Sequence, residues 1–289
     1  MVEIAVPEVD YTQYSNRQLV AVPLALLAVA LLVIVGWYVV TGAPANLGLE
    51  FTGGTEIRID VDGENPRQQI DEAFSVAPES VQQVDVDGSF VVTFQEGALG
   101  SSQIEQEATD EGFTVLTVDS VDGSFGPEQG RLALGGVVAA FAGMSILIFA
   151  IFRSFVPSVA VVVSAFSDVM IPLAMMNLFG IDLTLGTVAA LLMLIGYSVD
   201  SDILLNNSIL RQSGDFYEST RRAMRTGVTM TITSIAAMAV MAVLASVFGI
   251  QIMRAIGFIL VVGLLADLMN TYLLNVSLLR WYVYKGVKR

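Results

Sequence analysis

Apolar and polar positions recur along this chain on two different scales. Six apolar stretches, near 19–40, 132–152, 156–179, 183–205, 227–248 and 252–274, each supply the about 20 helical residues that a hydrocarbon core of about 30 Å requires. They predict six transmembrane helices. The first stretch is too long for the apolar core of a cleaved signal peptide and follows an acidic segment, residues 1–10, so it is expected to remain as a span. Between the first and second stretches the period shortens to that of a soluble α+β domain. Ile57, Ile59 and Val61 alternate with polar residues, and Val84 and Val86 are followed by Asp87-Gly88 and then Phe90, Val92 and Phe94, a hairpin pattern.

Two helices fit between these strands. Asn65 precedes Pro66 as an N-cap, with Ile70, Ala73, Phe74 and Ala77 on one face. Ser102 and Glu105 have the spacing of a capping box, and Gly112 marks the end of the second helix. A last strand over 113–118 completes the order β-α-β-β-α-β, which is the split βαβ, ferredoxin-like pattern. The expected fold class is therefore an α-helical membrane protein of six spans with a small ferredoxin-like α+β domain. Its parts are an N-terminal segment 1–18, a first span 19–40, a domain 41–130, the other five helices over 131–284, and a tail 285–289.

Charge gives the arrangement a direction. Arg17, Arg153, Arg211, Arg221, Arg222, Arg225, Arg280, Lys285, Lys288 and Arg289 all fall on one side of a six-span path, ten of the chain's 14 basic residues. The positive-inside rule makes that side cytoplasmic, so both termini are expected inside and 41–130 outside the cytoplasmic membrane. Residues 41–130 hold 18 Asp and Glu against Arg58 and Arg67 alone, a charge of −16, which leaves the rest of the chain at +2. Such a domain repels nucleic acid and anionic lipid headgroups. The acidic, lysine-poor surface suits a protein working in very high salt, so a halophilic source is expected. Cysteine and histidine are both absent, which excludes disulfides, thiolate metal sites and imidazole chemistry. No Walker loop, nucleophile elbow or metal-ligand set appears, so no enzymatic activity, metal or cofactor is expected.

Carboxylates inside apolar spans are the remaining candidate chemistry, because placing them there costs free energy. Asp168 lies about 12 residues into its span, or roughly 18 Å along the helix, near the bilayer centre. Asp200 and Asp202 are two positions apart, about 200° around their helix, so they face different neighbours. Gly196, four residues before Asp200, allows close approach on that face and favours Asp200 as the inward one, while Asp202 fits either a functional role or a reach to interfacial water. Asp267 fits a helix-to-helix hydrogen bond equally well. Gly135, Ala139 and Gly143 repeat every four positions and predict close helix packing or a partner interface. Arg225 opens the fifth span and serves either orientation or a carboxylate partner, and the hydroxyls over 226–234 serve packing or a wet path.

Several ordered segments resemble the SecD/SecF family of protein-export membrane proteins, its SecF branch in particular. GLEFTGGT at 48–55 is similar to the family signature usually written with Asp where Glu50 stands, and includes Gly48, Gly53 and Gly54. GPEQG at 126–130, with Gly126 and Pro127, resembles the element before the second span. FRS at 152–154, GYSVDSD at 196–202 and RTGVTMTITS at 225–234 resemble later signatures in order and spacing. The resemblance implies membership of the resistance-nodulation-division superfamily, partnership with SecD, work beside the SecY channel on an exported polypeptide, and possible drive by the ion-motive force. Arg225 matches the family's arginine at the fifth span, which with Asp168, Asp200 and Asp202 makes a candidate ion relay. The family's fourth-span acid aligns with Ser201, so here the relay is displaced to a flanking aspartate or lost. The loop before the fifth span looks about ten residues shorter than in bacterial members, as in archaeal ones. Two other readings stand beside this one: a scaffold that holds SecD without ion coupling, and half of a small-molecule or lipid exporter.

Overall fold

The computed structural model describes residues 11, 13–61, 65–83, 89–122, 126–211 and 215–286. Six of its helices are long and apolar enough to cross a membrane. α1 (Asn16–Thr41) starts at Ser15, whose hydroxyl and the Gln18 side chain cap each other's backbone, and ends at Gly42 in the left-handed region. α2 (Leu49–Thr52) is one short turn leading into the small domain.

In that domain the described elements run β1 (Gly54–Asp60), α3 (Pro66–Ala73), β2 (Ser80–Gln83), β3 (Ser89–Phe94), α4 (Ser101–Asp110) and β4 (Thr114–Val121). The strands form one sheet in the order β2-β3-β1-β4, with each neighbouring pair antiparallel. Alternation sends Ile57, Ile59, Val92 and Phe94 to one face, where Ile70, Phe74, Ile104 and Ala108 cover them. An antiparallel pairing of 80–83 with 90–93 is present, while the expected Asp87-Gly88 turn and Val84 and Val86 lie outside the described residues. Two expected caps differ in detail. Asn65 does precede Pro66, but it sits in the left-handed region and its side chain makes no cap bond. The second helix begins earlier than Ser102: Gly100 is its N-cap, and the Gln103 side chain accepts from the Gly100 amide at 3.2 Å. Gly112, at φ +84°, ends that helix as expected.

Eighteen acidic residues against two basic ones over 41–130 leave this small core opposing considerable repulsion. Screening acts over about 3 Å at 1 M salt and about 30 Å at 0.01 M. Amide exchange in β1 and β3 is therefore expected to quicken when salt falls from 1 M to 0.01 M while exchange in the membrane helices holds. Equal protection of the strands at both salts would show that the acidity costs the domain no stability.

The remaining spans are α5 (Gly126–Phe152), α6 (Phe155–Phe179), α7 (Leu185–Arg211), α8 (Phe216–Val247) and α9 (Gln251–Met269). α9 continues through a π-helical segment (Asn270–Asn275) into α10 (Val276–Trp281) and a second π segment (Tyr282–Gly286). The fifth span starts eleven residues before its expected position at 227, because Phe216, Ser219, Thr220, Ala223 and Met224 are buried while Arg221, Arg222 and Arg225 face outward. An amphipathic first three turns therefore extends the apolar stretch. α6 and α7 are the most enclosed spans, with Met176, Leu191, Leu194, Ile259, Leu260 and Leu264 forming a core with α9. α5 lies at the flank, and only 6% of its span is buried.

Close helix approach falls elsewhere than the Gly135-Ala139-Gly143 stripe predicts. Among the described residues, no atom outside the local helix backbone lies within 4 Å of where a side chain would start at Gly135, Gly143 or Gly196. α9 instead meets α8 at Gly257, against Ala242, and α7 at Gly263, against Leu194. The stripe faces away from the bundle because α5 packs against it through other residues, among them Ile148.

Candidate functional site

Three carboxylates meet in the middle of the bundle, one each from α6, α7 and α9. Asp168 and Asp202 have no exposed surface and Asp267 is 1% exposed. Their placement depends on the π-helical segment that follows Asp267. A turn widened to i→i+5 bonding shifts the register of the helix face, and such turns occur often at functional sites. Here it presents Asn270, Thr271 and Asn275, all buried, to the acids. Asn270 Nδ2 donates to Asp168 Oδ1 at 2.5 Å, and Ser198 Oγ of α7 donates to Asp168 Oδ2 at 2.6 Å. Asn275 Nδ2 donates to Asp202 Oδ1 at 2.8 Å, and Thr271 Oγ1 approaches the same oxygen at 2.9 Å and Asp267 Oδ1 at 3.3 Å. Ser201 Oγ lies 2.8 and 2.9 Å from the two oxygens of Asp267.

Thr271 bridges Asp202 and Asp267, and Asp168 joins them through Ser198, whose backbone oxygen lies 2.9 Å from Ser201 Oγ. Thr271 and Ser201 each own a single hydroxyl proton, so each satisfies one acceptor at a time among those it faces. The five donors just described are neutral, and several acceptors are left over. Among the described residues, the carbonyl oxygens Asn206 Oδ1, Asn270 Oδ1 and Asn275 Oδ1 are buried without a hydrogen-bond partner. An all-oxygen lining of this kind suits a proton or a hard cation. Among the described residues no group of three or more carboxylate, histidine or cysteine ligands is arranged to hold a metal ion.

The burial of the two α7 acids is the reverse of the expectation. Asp202 points into the bundle and Asp200 is exposed on the outer face, beside the exposed Gly196 and Tyr197. The partners of Asp202 sit on the π segment, and that position on the helix is the one that reaches them. Asp168 is fully buried, and Asp267 bonds α7 through Ser201. Arg225 is exposed on α8. Two glycine and hydroxyl features of the fifth span also resolve. Gly227 leaves room for the Tyr272 hydroxyl, which a Cβ would overlap, and Thr229 bonds its own backbone at Arg225 O, 2.7 Å away. Asn270, Thr271 and Asn275 went unnoticed in the sequence. Their signal was three amide or hydroxyl residues at spacings of one and four immediately after an intramembrane aspartate.

At one end of the bundle the small domain joins it through the 48–55 segment. The Gly48 amide donates to Leu183 O at 2.8 Å, the Leu183 amide donates to Asn46 O at 2.6 Å, and a Cβ at Gly48 would lie 2.8 Å from Thr184 Cγ2. Arg58 Nη1 of β1 donates to Gly249 O, in the α8–α9 turn, at 2.5 Å. Glu50 is the acidic residue of α2 at this junction, Gly53 ends α2 with its amide bonded to Leu49 O at 2.9 Å, and Gly126 and Pro127 begin α5. At the opposite end Arg280 holds the N-terminal segment, with Nη1 donating to Tyr11 O at 2.6 Å, Nη2 to Tyr14 O at 3.0 Å and Nε to Asn16 Oδ1.

Six spans, one domain inserted after the first of them and a buried polar network shared by three helices define a polytopic membrane protein with a worked interior. Its family follows from sequence comparison. The profile of the SecD/SecF GG motif matches residues 38–64, and that of the protein export membrane protein SecD/SecF, C-terminal, matches residues 102–285. The chain belongs to the SecD/SecF family of protein-export membrane proteins. It is 67% identical over 289 residues to protein-export membrane protein SecF of Haloferax volcanii and 62% identical over 292 to that of Haloquadratum walsbyi, with all of each chain covered in both cases. Both are haloarchaeal relatives, in keeping with the acidic composition. The SecF of Pyrococcus furiosus is 35% identical over 296 residues, covering 96% of this chain and 98% of the relative. The crystal structure of SecDF, a translocon-associated membrane protein from Thermus thermophilus, superposes with a TM-score of 0.76 at 21% identity, a likeness of fold. That match covers 96% of this chain and 39% of the longer SecDF chain.

Proposed function

We propose that this chain is the SecF half of an accessory machine of the Sec translocase, acting with SecD beside the SecY channel to help polypeptides cross the cytoplasmic membrane. In this reading an ion-motive force acts through the Asp168–Asp202–Asp267 network. The observation that supports it most is that three helices bury three acids on neutral donors. Three uncompensated charges in such a place are very costly, so the network calls for protons or a cation at some of its oxygens. A passive tether has no need of that arrangement. The displaced position of the α7 acid relative to the family signature then matters little, since Asp202 shares the Thr271 hydroxyl with Asp267 while Ser201 bonds Asp267.

We read the small domain as ferredoxin-like and extracytoplasmic. Its element order and sheet order support the first. The second is supported by the separation of the domain from the basic residues: Arg280 and the N-terminal segment share one end of the bundle, and the Leu183 and Gly249 turns that meet the domain share the other. Asp200, Gly196 and the α5 stripe form an outward small and polar surface, which in a transporter made of two six-span halves is the side that faces the second half.

Purification in mild detergent tests the partnership. Tagged wild-type chain is expected to bring SecD with it, and Gly196→Leu is expected to reduce that recovery several-fold more than Leu32→Phe, a change at a 72% exposed position on α1. Recovery of a homodimer without SecD, indifferent to Gly196→Leu, would favour a self-paired exporter instead.

A further inference from the structure

The face of the sheet that its own helices leave uncovered is turned toward the bundle. Because Ile57 and Ile59 point into the domain core, alternation sends Glu56 and Arg58 to the other side, over the rim formed by the α6–α7 and α8–α9 turns. Between sheet and rim lies a cleft of about 840 Å³. Four carboxylates line it from both sides: Glu56 of β1 and Asp119 of β4 on the sheet, Glu50 of α2 and Asp182 of the α6–α7 turn at the rim. Glu56 and Asp119 are direct cross-strand partners, a like-charge pairing that is unfavourable when both are ionised. Arg58 and Arg254 are the basic residues of the cleft, and the Arg58 guanidinium is already engaged at Gly249 O.

We propose that this cleft is a charge-set latch between the domain and the membrane bundle. With its carboxylates ionised together the domain is pushed off the rim, and with a proton among them it seats. The seated contacts include directional ones: the Arg58 bond, the pairing of Leu47 and the Gly48 amide with Leu183, and a Gln82 hydrogen bond to Asp182. A modest repulsion is enough to compete with them. Titration falls in the physiological range. Burial, then Asp182, Asp119 and Glu50, push Glu56 from 4.5 to about 7. Burial and Glu50 raise Asp182 to about 6 against the opposing Gln82 hydrogen bond. A carboxyl raised in the seated state favours seating fully below its ordinary range and loses that advantage as pH climbs through the raised value, so seating weakens between about pH 5 and 7. For Glu56 alone the equilibrium shifts on the order of a hundredfold. The latch stands apart from ion coupling through the bundle and does not require it.

The chain has no cysteine, so Gln106→Cys on α4 and Val247→Cys at the end of α8 accept spin labels at those two sites alone. Pulsed dipolar spectroscopy of the full chain in lipid nanodiscs at ~0.1 M salt is expected to give one short, narrow distance at pH 5. A longer and broader population should replace it above pH 7, with Glu56→Gln holding the short distance at pH 8. Should Glu56→Gln fail to fold, Asp182→Asn is the second variant, expected to lower the fraction of the long distance at pH 8. Identical distributions at pH 5 and pH 8.5 in the unsubstituted chain overturn the latch, as does a full pH response in whichever variants fold.

Discussion

Gly54→Ala is expected to remove a large share of the small domain's stability, on the order of 3 kcal/mol or more. Two independent causes add at this position. Its φ of +123° is open to glycine and to almost nothing else, and a Cβ there would overlap the Phe94 carbonyl oxygen on the neighbouring strand. The first strand begins at Gly54, and β1 is the inner strand that pairs with both β3 and β4, so displacing its start disturbs both ladders. Small domains keep only about 5 to 15 kcal/mol in total, so the loss is a large share. Gly97→Ala is the fitting comparison. It also has a positive φ, +74°, but nothing lies within 4 Å of the new methyl group, so it should cost about 1 kcal/mol. Limited proteolysis of the two variants in membranes measures the difference. Rapid cleavage within the domain of Gly54→Ala and near wild-type resistance of Gly97→Ala is the expected result, and equal resistance of both would contradict it.

The steric setting of Gly54 thus explains part of the family signature in terms that the sequence does not display. Other features were open to reading from residues alone. Long apolar runs have one stable form in a bilayer, so the six apolar helices were visible, and period-two runs revealed β1 and β3, whereas the observed β2 (Ser80–Gln83) precedes the Val84 and Val86 that the sequence pointed to. What stayed hidden depends on contacts between distant segments. Asp200 and Asp202 cannot be ranked by periodicity, because the deciding fact is where Thr271 and Asn275 stand on another helix, and they stand there only because the helix widens to a π turn. The extended start of α8 was missed for a similar reason. Its arginines read as a loop, whereas Phe216, Ala223 and Met224 bury against Tyr11, Tyr272 and Leu279. Small residues misled in the opposite way: the Gly135 stripe is the regular one, yet Gly257 and Gly263 make the intimate contacts within the chain.

The largest functional effect is expected from the carboxylate network. Asp168→Asn with Asp202→Asn keeps side-chain shape and removes two groups that exchange protons or hold a cation, at an insertion cost no greater than that of the acids. Asn at 202 also exchanges an acceptor for an amide, so Asn275 and Thr271 lose part of their bonding, and a modest loss of stability is expected beside the functional one. Asp200→Asn is the internal control. It alters an exposed acid on the same helix and leaves Thr271, Asn275 and Asn270 satisfied as before. If the network is what converts an ion gradient into work, the double variant should insert, recover SecD and still fail, while the control should perform close to wild type.

The most direct measurement is the rate at which a Sec-dependent reporter reaches the outside of cells whose only copy of this chain is the Asp168→Asn, Asp202→Asn variant, at matched membrane abundance and with SecD recovery checked. The account predicts export slowed to the level of cells lacking the chain, with Asp200→Asn near the wild-type rate. Wild-type export by the double variant would contradict it and leave a scaffold for SecD as the function of the six spans.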